Sequence, residues 1–572
     1  MAETKLTQSI RTRSWIRFFV TVAAIIIAAS ALGFFRLRLD LTEDKRFTLS
    51  HSTLKVLEGI KNDVFIQVYL DGEMPIPLKR MKRSVQEMLD EFRIASGKRI
   101  DYEFINPAET KDAKQRNEQF KSLENKGLNP IRLVASDAEG GSSQKIIFPG
   151  MMVNYNGAEV PVNFLENNQM ASTEQNILHS MEGLEYEMIQ TIATITSDTV
   201  YKVAFLEGQG ELPQIEVADI TMNLAKYFTV DRGAIGGKPG VLDNYSALII
   251  AAPSKEFSEA DKLVIDQYIM NGGKVLWLFE EVAVNADSLI NGETVGLYHP
   301  LNIEDQLFRY GARVNPVIVQ DIDCMIQRFS VMTGADQKQI ISAPWVYYPL
   351  LTPNQHHPIT RNLNRVLGRF VNTIDSVGLD PSIKKSVLLT TSAYSRTLSP
   401  PMLIMLKEAE MTPDTKEFTK SNMPVALLLE GEFTSAFKNR MTANIVQDPG
   451  FRVKTSGTKT KMIVVADGDI IRNEFHRSGT SEVPYHLGED QYTGQMFGNR
   501  DFLVNCMNYL VDNNGLMELR SREMKQRLLD KQEIKASKTE WQLINILLPL
   551  MVVIIAGIIY SFVRKRKYAG FR

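Results

Sequence analysis

Residues 247–279 read ALIIAAPSKEFSEADKLVIDQYIMNGGKVLWLF, and the fold follows from them. Ala247 to Ala252 is a short apolar run closed by Pro253, the pattern of a strand buried on both faces. Ser258-Glu259-Ala260-Asp261 has the spacing of a capping box, with Asp in place of the usual Glu or Gln. The helix that follows turns Leu263, Val264, Tyr268 and Ile269 inward, and Gly272-Gly273 stops it. Lys274 to Phe279 is the next apolar strand. Strand, helix and strand in this order predict a parallel sheet covered on both faces. Working outward, Val200 to Leu206 (VYKVAFL) is a strand that ends in Glu207-Gly208-Gln209-Gly210-Glu211. Val317 to Gln320, Val387 to Thr391, Val425 to Leu429 and Met462 to Val465 supply further strands. The reading is one doubly wound parallel-sheet α/β domain over residues 199–515, with an insertion near 331–380.

A smaller α/β domain precedes it, over residues 36–198. Ser50 or Ser52 caps a short helix through Leu57, with Gly59 just past its end. Val64 to Leu70 is a strand, Leu78 to Phe92 a helix with Leu78, Met81, Val85, Met88, Leu89 and Phe92 on one face, and Ile100 to Ile105 a second strand. This β-α-β order suggests a thioredoxin-like topology, yet the chain has no C-x-x-C and so no redox chemistry of that kind. Asn156-Gly157 between two β-prone runs is a hairpin signal. Glu174 to Ile195 reads as a long exit helix.

The two ends are apolar. Leu543 to Val563 holds 21 residues without a charge, flanked by Trp541 and Tyr560 and followed by Arg564-Lys565-Arg566-Lys567. Roughly 20 apolar residues cross a bilayer core, and a basic stop marks the cytoplasmic side. Phe18 to Phe35 gives 18 uncharged residues behind Lys5, Arg11, Arg13 and Arg17. Ala29-Ser30-Ala31 offers a rival reading as a signal-peptide cleavage site; the apolar run continuing to Phe35 favours an uncleaved anchor. The expected topology is two-pass: residues 1–17 and the basic tail 564–572 cytoplasmic, the region between the spans outside the cytoplasmic membrane. Residues 516–542 form the membrane-proximal segment. If Met517 to Lys538 is helical, it makes a stalk of roughly 30 Å; a solvated linker is the rival.

Composition narrows the chemistry. Sixty-five basic against 67 acidic residues give a net charge of −2, which implies no general attraction to nucleic acid. Two cysteines, Cys324 and Cys506, could pair in an oxidising compartment but are too few for a disulfide scaffold, and the preferred reading is two buried free thiols. His356-His357 cannot face one metal from a helix or strand. Gly208-Gln209-Gly210 lacks the third glycine of a dinucleotide fingerprint, where Pro213 stands. Gly236-Gly237-Lys238 lacks both the first glycine of a phosphate loop (Arg232) and its Ser or Thr (Pro239). Amidotransferase-like sheets place a Cys nucleophile on a sharp turn, but Cys324 has no glycine to form one. Asp467 and Asp469 suit a hard cation; the alternative is a strand-exit turn with Asp469 capping the next helix. No catalytic, cofactor-binding or metal residue is assigned.

Taken in order, Asp40-Leu41-Thr42-Glu43-Asp44-Lys45-Arg46, Phe148-Pro149-Gly150, Leu184-Glu185-Tyr186-Glu187, Gly208-Gln209-Gly210-Glu211, His357-Pro358-Ile359-Thr360, Asp467-Gly468-Asp469, Gly498-Asn499-Arg500-Asp501-Phe502 and Arg520-Ser521-Arg522 resemble the gliding-motility-associated ABC-transporter auxiliary proteins of the GldG type, over essentially the whole chain. The resemblance implies two transmembrane helices flanking a large extracytoplasmic region whose main domain is amidotransferase-like without catalytic residues. It implies a non-catalytic, substrate-binding-like subunit acting with an ABC permease and its ATPase in the membrane of a gliding bacterium. It carries no agreed ligand and no site residue. An extracytoplasmic amidotransferase-like or hydrolytic enzyme, and a structural envelope protein of the motility machinery, are the alternatives.

Overall fold

The computed structural model describes residues 15–16, 18–24, 48–110, 112–136, 142–165, 172–333, 337–378, 380–440, 452–479, 481–521 and 536–568. The chain divides into two compact units, Met1–Leu41 with Lys45–Arg522 and Thr42–Asp44 with Glu523–Arg572.

In the first unit, the helix His51–Glu58 begins at Ser50, whose side chain accepts from the Thr53 N–H, and ends at Gly59. Strand Val64–Val68 pairs parallel with Ile100–Phe104 and antiparallel with Gly150–Tyr155, which turns back into Ala158–Asn163. Between the parallel pair runs the helix Ile76–Ala95, burying Leu78, Met81, Val85, Leu89 and Phe92 at the predicted spacing. The hairpin turns at Asn156 and Gly157, both with positive φ (50° and 86°), as a two-residue primed turn requires. A parallel β-α-β pair, an antiparallel hairpin and the long helix Thr173–Thr196 thus follow the predicted order. That last helix is fixed at its start by a reciprocal Ser172–Gln175 capping box.

The large sheet is mixed rather than wholly parallel. Thr229–Ala234, Lys202–Glu207, Ala247–Ala251, Val275–Leu278 and Ser456–Val465 lie side by side and parallel. Beyond Ser456–Val465 the sheet continues antiparallel through Pro424–Thr434, Lys384–Thr390, Gln337–Pro353 and Cys324–Thr333. Strands Cys324–Thr333, Gln337–Pro353, Lys384–Thr390 and Pro424–Thr434 extend the sheet, so strand residues of the expected insertion at 331–380 belong to it. Strand Ile318–Asp321 leaves the main sheet and pairs with Ser395–Leu398 instead. A strand buried on both faces is apolar whichever way it runs, so composition did not distinguish the antiparallel half.

The same insertion changes the decisive helix. Glu259–Met270 is buried at every position from Asp261 to Met270, not along one stripe. Phe437 packs on Leu263; the Asp266 carboxylate accepts from the Tyr310 hydroxyl (2.7 Å), the Ser435 hydroxyl (2.7 Å) and the Ala436 N–H (2.8 Å).

The second unit's described part contains the helix Lys538–Tyr568, 31 residues with Pro549 inside it. Its apolar side chains are exposed, and the mean hydropathy of its most apolar window is 2.7. By length and composition it can cross a membrane, and among the described residues no other helix can. Of the first expected span, residues 18–24 are helical and 25–35 lie outside the described residues. The expected stalk is corrected at its start. Met517–Ser521 is a 3-10 turn with Met517 and Leu519 buried in the first unit, so the folded domain runs past residue 515. Residues 522–535, the middle of that stalk, lie outside the described residues.

Candidate functional site at the carboxyl ends of the strands

Strand Lys202–Glu207 has Thr229–Ala234 on one side and Ala247–Ala251 on the other, so the chain reverses its direction of winding there. Open α/β sheets bind ligands beyond the strand ends at this point. Here the crevice is filled by the protein itself. The Gln209 carbonyl accepts from the Ser254 and Lys255 N–H groups, both at 2.9 Å. Gln209 Nε2 donates to Asp261 Oδ2 at 3.2 Å, and Gly237 N–H donates to Asp261 Oδ1 at 2.8 Å. Asp261, read from sequence as a helix-start residue, is thus the knot of the loops. The backbone N–H of the Gly236-Gly237-Lys238 turn that a phosphate would need is already used. Gly210 has φ +72°, and a Cβ on it would lie 2.3 Å from Ser254 Oγ. Gly210→Ala is expected to destabilise the protein by about 2 kcal/mol through overpacking and the left-handed backbone, measured by urea unfolding. An unchanged midpoint would mean that the loops pack more loosely than described.

The second strand-end group is acidic. Glu280 Oε2 accepts from Gly468 N–H at 2.6 Å, and a Cβ on Gly468 would meet that oxygen at 2.4 Å. Asp467 is fully buried and accepts from the Arg369 N–H (3.0 Å) and the Asp469 N–H (2.9 Å). Asp469 pairs with Arg472 at 2.7 Å, and Arg369 with Glu474 at 2.6 Å. Burial, with Asp469 and Glu280 beside it, holds Asp467 well above the usual carboxylate range. Burial, then the Asp469 charge, pushes Glu280 up to about 7. The sequence reading made Asp469 the helix cap; it is Asp467 that receives the backbone N–H, while Asp469 binds Arg472. Among the described residues, no three His, Cys, Asp or Glu side chains are grouped to hold a metal ion.

The remaining candidates are dispersed. Cys324 opens the hairpin strand Cys324–Thr333 and Cys506 is buried in the helix Asn499–Val511; both are free. Burial pushes the Cys324 thiol up to about 12, so it carries little thiolate. His357 is buried against Tyr509, its ring centroid 5.3 Å away, while His356 is exposed.

Sequence reasoning missed a third place, where the folded domain ends. The Arg520 guanidinium carbon lies 5.3 Å from the centre of the Tyr186 ring. Its nitrogens reach Glu187 Oε1 at 3.4 Å and the Arg361 carbonyl at 3.3 Å. Arg361 in turn donates to the Ser521 carbonyl at 2.6 Å and pairs with Glu182 at 3.5 Å. The two arginines fasten Met517–Ser521 to the helix Thr173–Thr196 and to the loop after Pro353. No local periodicity marks a contact between residues 186 and 520; only their presence among the ordered motifs pointed at them.

The family model described as "ABC-type uncharacterized transport system" (ABC_transp_aux) matches residues 201–506. The chain belongs to this family of ABC-transporter auxiliary proteins. Membership makes the auxiliary protein a transport-associated subunit, implies association with other ABC-transporter components, and, with the apolar helix, indicates membrane association. A second model, a domain of unknown function (DUF7088), matches residues 43–154 of the auxiliary protein. No curated protein matches it. Among solved structures it is similar to the "mmIFT52 N-terminal domain" at 14% identity and a TM-score of 0.31, over 54% of this chain and 96% of that one.

Proposed function

We propose that this chain is a non-catalytic, membrane-anchored subunit of the GldG type in an ABC transporter linked to gliding motility. In this reading it spans the cytoplasmic membrane twice with both termini inside. Its α/β domains, of which the larger is amidotransferase-like, stand outside and receive a ligand or partner. The spans dock on the permease, which the ATPase drives. The observation that carries the proposal is the union, in one chain, of the auxiliary-family match over residues 201–506 with the bare apolar helix Lys538–Tyr568. The strand-end loops support a binding or coupling role, because the Gln209 carbonyl, the Gly237 N–H and the Gly468 N–H are taken by other groups of the protein. The test is affinity purification of the tagged full-length chain in mild detergent, with mass spectrometry. A polytopic permease and a P-loop ATPase are expected in fixed ratio, and both are expected to be lost when residues 543–572 are removed. Recovery of the chain alone, or with envelope proteins only, overturns the proposal.

A further inference from the structure

A cavity of about 330 Å³ lies at the opposite, amino-terminal end of the large sheet, lined by the helix Thr173–Thr196, the segment 197–201, residues 225–229 and residues 508–516. That volume is at the small end of the range of ligand sites. Apart from Lys226, the charged and dipolar groups of its lining are negative. The helices Thr173–Thr196, Ala218–Leu224 and Asn499–Val511 all reach it with their carboxyl ends, through Thr194, Ala225 and Val511. A helix carboxyl end has carbonyls without intrahelical partners and a partial negative charge. Asp512 adds a full one. Its carboxylate is fixed by the N–H groups of Asn514 (2.9 Å), Gly515 (2.8 Å) and Met517 (2.9 Å), and lone pairs remain on it. Asn508, only 6% exposed, lines the same cavity, and its Oδ1 is a buried acceptor with no hydrogen-bond partner. Tyr201, Tyr227 and Phe228 provide aromatic walls, and ring faces attract cations. The single lysine in the lining, Lys226, has its ammonium on Asn223 Oδ1 at 2.9 Å.

From these groups we infer that the cavity binds a small organic cation of the ammonium class, caged by the aromatic rings, with Asp512 and the helix carboxyl ends opposing its charge. Bound there, the cation touches the exit helix of the small domain, the large domain and the segment leading to residue 521 at once. The inference is independent of any permease.

The experiment uses the full-length chain in detergent and ligand-observed saturation-transfer NMR with tetramethylammonium, against pivalate as an anion of similar shape. Tetramethylammonium is expected to bind with a Kd on the order of 1 mM or tighter, about −4 kcal/mol, and pivalate at least tenfold more weakly. Thr194→Trp, which fills the cavity, is expected to abolish the signal. If that variant does not fold, Tyr201→Leu is expected to weaken binding several-fold. Equal binding of cation and anion, no binding of either, or cation binding unaffected by the variant that folds would each overturn the assignment.

Discussion

Replacing Arg520 by alanine is expected to destabilise the folded domain by about 3 kcal/mol, the scale for removing one partner of a mostly buried ion pair. The Arg520 side chain is 11% exposed and that of Glu187 32%, so Glu187 is left half-buried without its cation. Burial already holds Glu187 above its ordinary range and Arg520 opposes that shift, so the loss is electrostatic as well as steric. The Tyr186 ring loses the guanidinium above it, while the Tyr186 hydroxyl keeps its contact with Met517 Sδ at 2.8 Å. Arg361→Ala is expected to act similarly, through Glu182 and the Ser521 carbonyl. Because both side chains hold the same turn, Arg361 through the Ser521 carbonyl and Arg520 through Glu187, the double variant should be non-additive by about 1 kcal/mol. Urea unfolding of the full chain in detergent gives the energies. Hydrogen exchange shows where they act: the N–H groups of residues 517–521 should exchange faster in either variant, with those of strand Val275–Leu278 unchanged. A cost under about 0.5 kcal/mol, with no local change in exchange, would show that this turn is held by Met517 and Leu519 alone. The result bears on function, because whatever reaches the folded domain along the chain from the apolar helix enters through this turn.

The parts of the fold that local periodicity controls were legible. Ser50 and Ser258 cap helices because their side chains accept N–H groups within the next three residues, and Asn156-Gly157 turns a hairpin because both residues accept positive φ. What stayed hidden depends on partners far away in the chain. Strands Pro424–Thr434 and Ser456–Val465 have equally apolar cores, yet one is antiparallel to its neighbours and the other has a parallel neighbour. The helix Glu259–Met270 was expected to turn Leu263, Val264, Tyr268 and Ile269 inward, and the structure also buries Lys262 on Asp305 at 2.9 Å and Asp266 on Tyr310 and Ser435. Polar residues of that kind declare their partners only in three dimensions. At the strand ends, the missing glycines and hydroxyl argued against nucleotide loops. That Asp261 ties those loops shut required the structure, as did the ring of helix carboxyl ends around Asn508.

The carboxylates at the strand ends make a second large effect, this one on the pH dependence of stability. Burial, with Glu304 adding to it, pushes Glu281 up to about 7 from its ordinary 4.5, and Glu280 stands at a similar level. A carboxyl whose folded pKa is raised binds its proton more tightly when folded. Its contribution is therefore fully present below about pH 4.5 and is lost as the pH rises to about 7. His357 acts in the opposite direction: burial lowers it to about 4, so its folded form resists protonation and its contribution grows as the pH rises from about 4 to 6.5. The two signs partly cancel in the wild-type curve, which is why a difference is the informative quantity. Glu281→Gln removes one raised carboxyl and leaves His357 in place. Relative to wild type, the variant is expected to gain roughly 3 kcal/mol of stability between pH 4.5 and pH 8, with most of the change between pH 5 and 7. Urea unfolding at half-unit steps across that range measures it. A difference that is flat with pH would mean that Glu281 ionises as an ordinary carboxylate, and that its surroundings are open to water instead of closed. A difference that falls towards pH 8 would mean that Glu281 is held charged by a cation, the reverse of a carboxyl raised by burial.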